Sequence, residues 1–250
     1  MSGERIAFVG EAMSTIVQGI AEVRSAIGQP PVVVGGLAVL CRLSNPYRAT
    51  TDLDVVDRRR SATPHLQVLR AVVGAEPVEP AAVLIPTAFG PVKVDVLEVR
   101  QVEIDHPSDD PGDRLHASAH AWAYDTATDL TIGAVSPKGE VEVTTPVAEP
   151  GPLIAMKLQA VMNRSTQKQG TDLLDIIRLT FDVGTREVAL EQIRAVDDAV
   201  ARDIAEHVGL WFARRRTQAL EWVRNAGGAD LVIDDIDLVA ELLSDASRRS

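Results

Sequence analysis

Val32-Val33-Val34-Gly35-Gly36 and, sixteen residues after Gly36, Asp52-Leu53-Asp54-Val55-Val56 are the two stretches from which this chain is best read. The first is an apolar strand that ends in paired glycines and passes into a helix. The second is a strand opened by an acidic-apolar-acidic triplet. Side chains two apart in a strand share a face, so Asp52 and Asp54 aim both carboxylates at one place. Carboxylates held that close repel unless a cation sits between them, and Mg²⁺ commonly takes one or two carboxylates together with substrate phosphates. Gly35 and Gly36 lack Cβ atoms, so backbone N–H groups at the helix start are open to a phosphate.

Outward from these stretches, the spacing of Ile6, Val9, Met13, Ile16, Ile20, Val23 and Ile27 predicts one helix over 5–27, stopped by Gly28-Gln29-Pro30-Pro31. A helix is expected over 36–43, a polar connection over 44–51, and a further helix over 63–74. Strands are expected over 82–87 and 92–99, joined by a hairpin at Phe89-Gly90-Pro91. In the second of these, Asp95 is a charged residue inside the apolar run Val94-Asp95-Val96-Leu97, and Lys93 shares its face. Asp95 on a neighbouring strand would supply a third carboxylate, able to complete a metal shell or to accept a hydroxyl proton. The plain alternative is that Asp95 pairs with Lys93 or an arginine and does no more.

Further along, 105–113 reads as a loop, 114–124 as a small helix, and 130–135 and 140–144 as strands. Pro146, Pro150, Gly151 and Pro152 mark the expected domain boundary, with an α/β domain over 1–147 and a helical domain over 148–250. In the latter, helices are expected over 152–163, 170–182, 185–196, 198–226 and 234–247. The fold class is therefore α/β (α+β), a mixed sheet core followed by a helical C-terminal half.

Composition sets limits on function. The chain of 250 residues is 46% hydrophobic and carries a formal net charge of −11. That charge argues against broad nonspecific nucleic-acid binding. No apolar run approaches the ~20 residues that span a bilayer. Met1-Ser2-Gly3-Glu4-Arg5 lacks the features of a secretion signal, and Cys41 is the only cysteine. A soluble, cytoplasmic protein with no membrane partner is expected. The runs Arg58-Arg59-Arg60 and Arg214-Arg215-Arg216 are expected to be solvated surface.

Val34-Gly35-Gly36, Asp52-Leu53-Asp54 and Asp95 together resemble the signature of the polymerase-β-like nucleotidyltransferase superfamily. A narrower resemblance joins Gly35-Gly36-Leu37-Ala38-Val39-Leu40 with Arg48-Ala49-Thr50-Thr51-Asp52-Leu53-Asp54. This is similar to the AbiEii/MenT group of toxin nucleotidyltransferases, although Cys41-Arg42 stand where that group often has a histidine. The second half adds Lys157 with Ala160 and Arg164, then Lys168 and Asp172-Leu173-Leu174-Asp175.

The resemblance, which covers roughly residues 30–180, implies a nucleotidyltransferase-type mixed sheet and an enzyme that moves an NMP from an NTP to a hydroxyl, releasing pyrophosphate. It implies Mg²⁺ or Mn²⁺ held by Asp52, Asp54 and Asp95, with Asp95 able to act as base. It implies that Gly35, Gly36, Arg48 and Lys157 contact the triphosphate, and that Asp172 fixes Lys157 or the nucleotide. It further implies a tRNA 3′ end as acceptor and a cognate antitoxin protein as partner, in a toxin–antitoxin or phage-defence pair. Two rivals stand beside this reading. One is a small-molecule nucleotidyltransferase of the aminoglycoside-modifying kind, favoured by the acidic charge. The other is a noncatalytic binding module on the same fold.

Other constellations have ordinary readings. His116 and His120 lie four apart on a helix, but no Cys or Glu completes a zinc set, so packing or surface is expected. Cys41 reads as a buried structural thiol. Trp211, Phe212 and Trp222 read as core rather than as a base-stacking platform. Ser44, Thr50 and Thr51 flank the acidic strand, where a hydroxyl could meet a phosphate or become phosphorylated, the plainer use being turn hydrogen bonds.

Overall fold

The computed structural model describes residues 5–249. Met1–Glu4, on which part of the secretion-signal reading falls, and Ser250 lie outside the described residues, as does the side chain of Asn163. The chain divides into two compact units. Unit 1 comprises residues up to Cys41, Asn45–Gln101 and Ala123–Ala148; unit 2 comprises Arg42–Ser44, Val102–Trp122 and Glu149 onward. The chain leaves unit 1 for the last time after Ala148, near the proline-rich passage, but unit 2 also takes in Arg42–Ser44 and Val102–Trp122 from the first 147 residues.

Unit 1 is built on a mixed sheet of eight strands among the described residues: β1 (Arg5–Val9), β2 (Val32–Val34), β3 (Asp52–Asp57), β4 (Glu76–Glu79), β5 (Ala82–Ile85), β6 (Val92–Glu98), β7 (Thr128–Ser136) and β8 (Gly139–Val147). Their spatial order is β1-β7-β8-β2-β3-β6-β5-β4. The pairs β1/β7, β2/β8 and β3/β6 run parallel, the others antiparallel. The α/β class is as expected.

The single helix expected over 5–27 is instead β1 followed by α1 (Glu11–Ile27). Gly10 is the cause. Its φ of 112° lies outside the helical region, its N–H donates to Val135 O of β7, and its carbonyl accepts the N–H of Ser14 to start α1. Beyond that break, Met13, Ile16, Val17, Ile20 and Val23 form the buried stripe. Gly28, at φ 75°, ends the helix with its N–H on Arg24 O. α1 packs against β3, β6, β7 and β8. At Gly19 the contact is so close that a Cβ would stand 2.7 Å from Val92 Cγ1.

This packing sorts the faces of the central strands. Val92, Val94 and Val96 of β6, and Leu53 and Val55 paired with the last two, are buried on the α1 side. The alternate residues Asp52, Asp54, Lys93 and Asp95 are half-buried on the opposite face. α2 (Gly35–Arg42) follows β2 directly and buries Leu37, Ala38, Val39, Leu40 and Cys41. α3 (His65–Arg70) is shorter than the 63–74 expected, and Asp57 accepts the N–H of His65 at its start, at 2.8 Å.

The first arginine run is solvated surface only in part: Arg60 is exposed as expected, Arg59 is half-buried and Arg58 is buried. Arg58 is buried with Nη2 on Gln101, Arg59 pairs with Glu98 at 2.7 Å, and Arg60 pairs with Asp125 at 2.8 Å. Strand neighbours and the sharp turn at Arg59 (φ 50°) bring acceptors that are distant in sequence.

Unit 2 contains most of α4 (Gln101–Asp105) and α5 (Pro111–Thr126). It also contains α6 (Pro150–Asn163), α7 (Thr166–Phe181), α8 (Arg186–Ala195), α9 (Asp198–Val208), α10 (Arg216–Asn225) and α11 (Ile233–Ser247). The expected helix over 198–226 is interrupted by a π-helical turn, Gly209–Arg214, and by Arg215 outside helical geometry. The 105–113 loop is shortened at both ends by α4 and α5. Trp211 and Phe212 are buried core, with the Trp222 ring 5.7 Å from that of Trp211. Among the described residues no helix is long and apolar enough to cross a membrane.

Candidate functional site

The parallel register of β3 and β6 places Asp52 opposite Lys93 and Asp54 opposite Asp95. Opposed residues of neighbouring strands share a face, about 4.8 Å apart across the ladder. Asp52, Asp54 and Asp95 therefore occupy three corners of one small polar patch, and Lys93 the fourth.

β2 lies on the other side of β3, with Val34 opposite Asp54, so the chain leaves β2 at Gly35 immediately beside the Asp54 carboxylate. Gly35 has φ 64°, and a Cβ there would overlap Asp54 Oδ2 and stand 2.5 Å from its Cγ. Only glycine meets both demands. Gly36 follows in the first turn of α2. A Cβ there would stand 2.8 Å from Thr50 Oγ1 and 3.1 Å from Arg48 Nη2, so this backbone lies under a guanidinium. The first N–H groups of a helix have no intrahelical acceptor. Together with Arg48 they give this corner an attraction for anions beside the carboxylates. Thr51 Oγ1 donates to Asp52 Oδ1 at 3.3 Å, while Thr50 Oγ1 donates to Asp52 O at 3.4 Å.

Lys93 has two carboxylate partners, Glu79 Oε1 at 3.0 Å and Asp95 Oδ2 at 3.3 Å. Burial pulls the Lys93 ammonium down, but Glu79 and Asp95 more than offset it, and its pKa is raised. Asp95 is raised above the usual carboxylate range, mainly by burial and secondarily by Asp52, with Lys93 opposing. A carboxylate so raised is a better proton acceptor than an exposed one. The pairing of Asp95 with Lys93 was the plain alternative for this residue, and the contact exists.

The donor set suits a hard divalent cation, since it is all oxygen and lies on one face of two neighbouring strands. Among the described residues, however, no three His, Cys, Asp or Glu side chains are gathered tightly enough to ligate an ion as they stand. The fit is thus one of register and chemistry, with Asp95 engaged by the Lys93 ammonium.

Within unit 2, Lys157 on α6 is buried between Asp172 Oδ1 at 2.6 Å and Asp175 Oδ2 at 2.8 Å, both on α7. Arg164 reaches Asp172 Oδ2 at 3.3 Å. Burial opposes the Lys157 charge, yet Asp175 and then Asp172 outweigh it and the pKa is raised. Asp175 is one helical turn from Asp172, a spacing visible in the sequence, and shares the lysine equally with it.

His120 is fully buried with Nδ1 on His116 O at 2.6 Å, and its ring lies 4.2 Å from that of His116. Burial, and then His116, lower its pKa to about 3. Cys41 is buried. Ser44 donates through its N–H and hydroxyl to Asp182, at 2.9 and 3.0 Å, an ordinary structural use.

No protein-family model matches the chain, and no curated protein matches it. Among solved structures, it is similar to the crystal structure of an antigenic nucleotidyltransferase-like protein from Paracoccidioides brasiliensis. The TM-score is 0.44 and the identity 20%, over 86% of this chain and 94% of that one.

Proposed function

We propose that the protein is a nucleotidyltransferase, moving the NMP moiety of an NTP to a hydroxyl acceptor. The observation that carries this reading is the in-register pair Asp54–Asp95 beside Asp52, with the Asp54 carboxylate packed against the glycine that starts α2. The triphosphate lies against the backbone of Gly35 and Gly36, with Arg48 neutralising part of its charge. The acceptor oxygen attacks the α-phosphorus, the bond to the bridging oxygen of the β-phosphate breaks, and pyrophosphate leaves. Asp95 accepts the hydroxyl proton. Asp52 and Asp54, with Asp95, would hold Mg²⁺ or Mn²⁺, which supplies charge neutralisation at the reacting phosphate.

The run Arg48-Ala49-Thr50-Thr51-Asp52-Leu53-Asp54 supports a narrower reading, in which the acceptor is a tRNA 3′ end and the chain is the toxin of a toxin–antitoxin pair. The net charge of −11 favours a cationic small molecule as the second candidate acceptor. Incubation with each labelled NTP, in parallel with total RNA and with aminoglycosides, separates the two. Asp54→Asn is expected to lower transfer on the order of 100-fold or more, the size of losing one preorganised electrostatic contact at a reacting centre. Its urea midpoint should stay at the wild-type value. Transfer at the wild-type rate would refute the assignment.

A further inference from the structure

The acidic face already contains a cation of its own, and its two partners are unequal. Lys93 stands opposite Asp52 and two residues before Asp95 on the same face. Its ammonium lies between Asp95, whose side chain is 19% exposed, and Glu79 on the edge strand β4, whose side chain is 59% exposed. No step of the proposed reaction requires Glu79. Its place explains itself if Lys93 needs somewhere to go.

We infer that Lys93 is a built-in counter-ion that competes with the divalent cation for Asp95, and that Glu79 is the seat that retains it when Asp95 is given up. This rests on the reading of Asp52, Asp54 and Asp95 as cation ligands. With the site unloaded, three carboxylates on one face repel, and the ammonium relieves that repulsion at Asp95. Loading a divalent ion requires Asp95 to turn from Lys93. The lysine then keeps Glu79, so its charge is not left unpaired. Cation affinity is thereby held below what three free carboxylates would give, and the site fills only when the ion is plentiful or arrives with the charge of a triphosphate. Lys93 is a positioning residue in this account, acting through Asp95.

Two substitutions should have opposite effects, which a merely structural role would not produce. Mn²⁺ binding to the full-length chain, read from the loss of the free-ion resonance in electron paramagnetic resonance, is the measurement. Lys93→Met keeps most of the aliphatic stem and removes the charge. It should tighten Mn²⁺ binding at least about fivefold, the bulk-water limit for one unit charge at ~4 Å, and more where the site is less well screened. Glu79→Gln removes the alternative seat, ties the lysine to Asp95 and should weaken binding severalfold. Lys93→Arg keeps the charge and should stay close to wild type, and circular dichroism checks that each variant is folded.

If Asp54→Asn loses Mn²⁺ while Lys93→Met binds no tighter than wild type, the counter-ion role is overturned and the ligand assignment stands. If Asp54→Asn binds like wild type, the ligand assignment fails and the counter-ion role fails with it.

Discussion

Gly35→Ala is the substitution whose cost can be worked most directly from the geometry. Two penalties apply. An L residue at φ 64° costs about 1–2 kcal/mol for the left-handed backbone. The new Cβ also falls within the Asp54 carboxylate and stands 2.8 Å from Asp54 Cβ, so a rotamer change alone does not relieve the overlap and the β2–β3 ladder must give as well. An off-rotamer side chain adds about 0.5–1.5 kcal/mol. The sum is a loss of about 1.5–3.5 kcal/mol in unfolding free energy, together with displacement of Asp54 from the polar face.

Gly36→Ala is the control. Its backbone is helical, and the atoms nearest its Cβ are the hydroxyl of Thr50 and the end of the Arg48 side chain, which can move. Its cost should stay below about 1 kcal/mol, since alanine also favours helix. Urea titration of both variants beside wild type measures the difference, and Mn²⁺ binding measures the Asp54 displacement. Equal stability of the two variants, or normal Mn²⁺ affinity in Gly35→Ala, would refute the argument that Asp54 is seated by the absence of a side chain at residue 35.

Other outcomes follow from the buried titratable groups. Lys157→Met leaves Asp172 and Asp175 buried without their shared cation and should destabilise by about 3–5 kcal/mol, seen as a lower urea midpoint at pH 7. In the wild-type protein the folded pKa of Lys157 is raised, so its contribution is fully present below the unfolded value near 10.4 and is lost as pH rises through the folded value. Denaturation curves above about pH 10.5 should show that loss, and the variant should not. His120 has the opposite sign of shift. A folded pKa of about 3 against 6.5 unfolded means that the unfolded chain binds the extra proton, so stability is present above pH 6.5 and falls with acidification. Between pH 8 and pH 5 the loss should be about 2 kcal/mol, and it should vanish in His120→Gln, whose amide can still donate to the His116 carbonyl.

The heart of the polar face was legible from residue types alone. Alternation in Asp52-Leu53-Asp54 and in Lys93-Val94-Asp95 sets which side chains share a face, and the pairing of β3 with β6 needed only that both strands be recognised. Glu79 was not legible as part of it, because Glu76-Pro77-Val78-Glu79 has no alternating apolar pattern and is an edge strand by virtue of its pairing with β5. Asp175 was legible by its helical spacing from Asp172, but its share in Lys157 depends on the packing of α6 on α7. β1 was hidden because Ile6 and Val9 also fit a helical stripe, and the decisive residue, Gly10, signals a break only through its backbone angle. Arg58 looked like surface for a similar reason: a run of three arginines carries no mark of which member a strand end will bury.

Among the described residues β1 lies at the rim of the sheet and pairs with β7 alone, with Val9 85% exposed. It has little core of its own to defend, and its service is to its neighbour. Stripping residues through Val9 would bare the backbone donors and acceptors of Thr131–Val135, an apolar ribbon that could then template pairing between molecules. Five residues that contribute little burial thus act as a selvedge, replacing the nine-residue edge of β7 with a shorter one that opens on the charged Arg5 and so offers a second chain less to pair with.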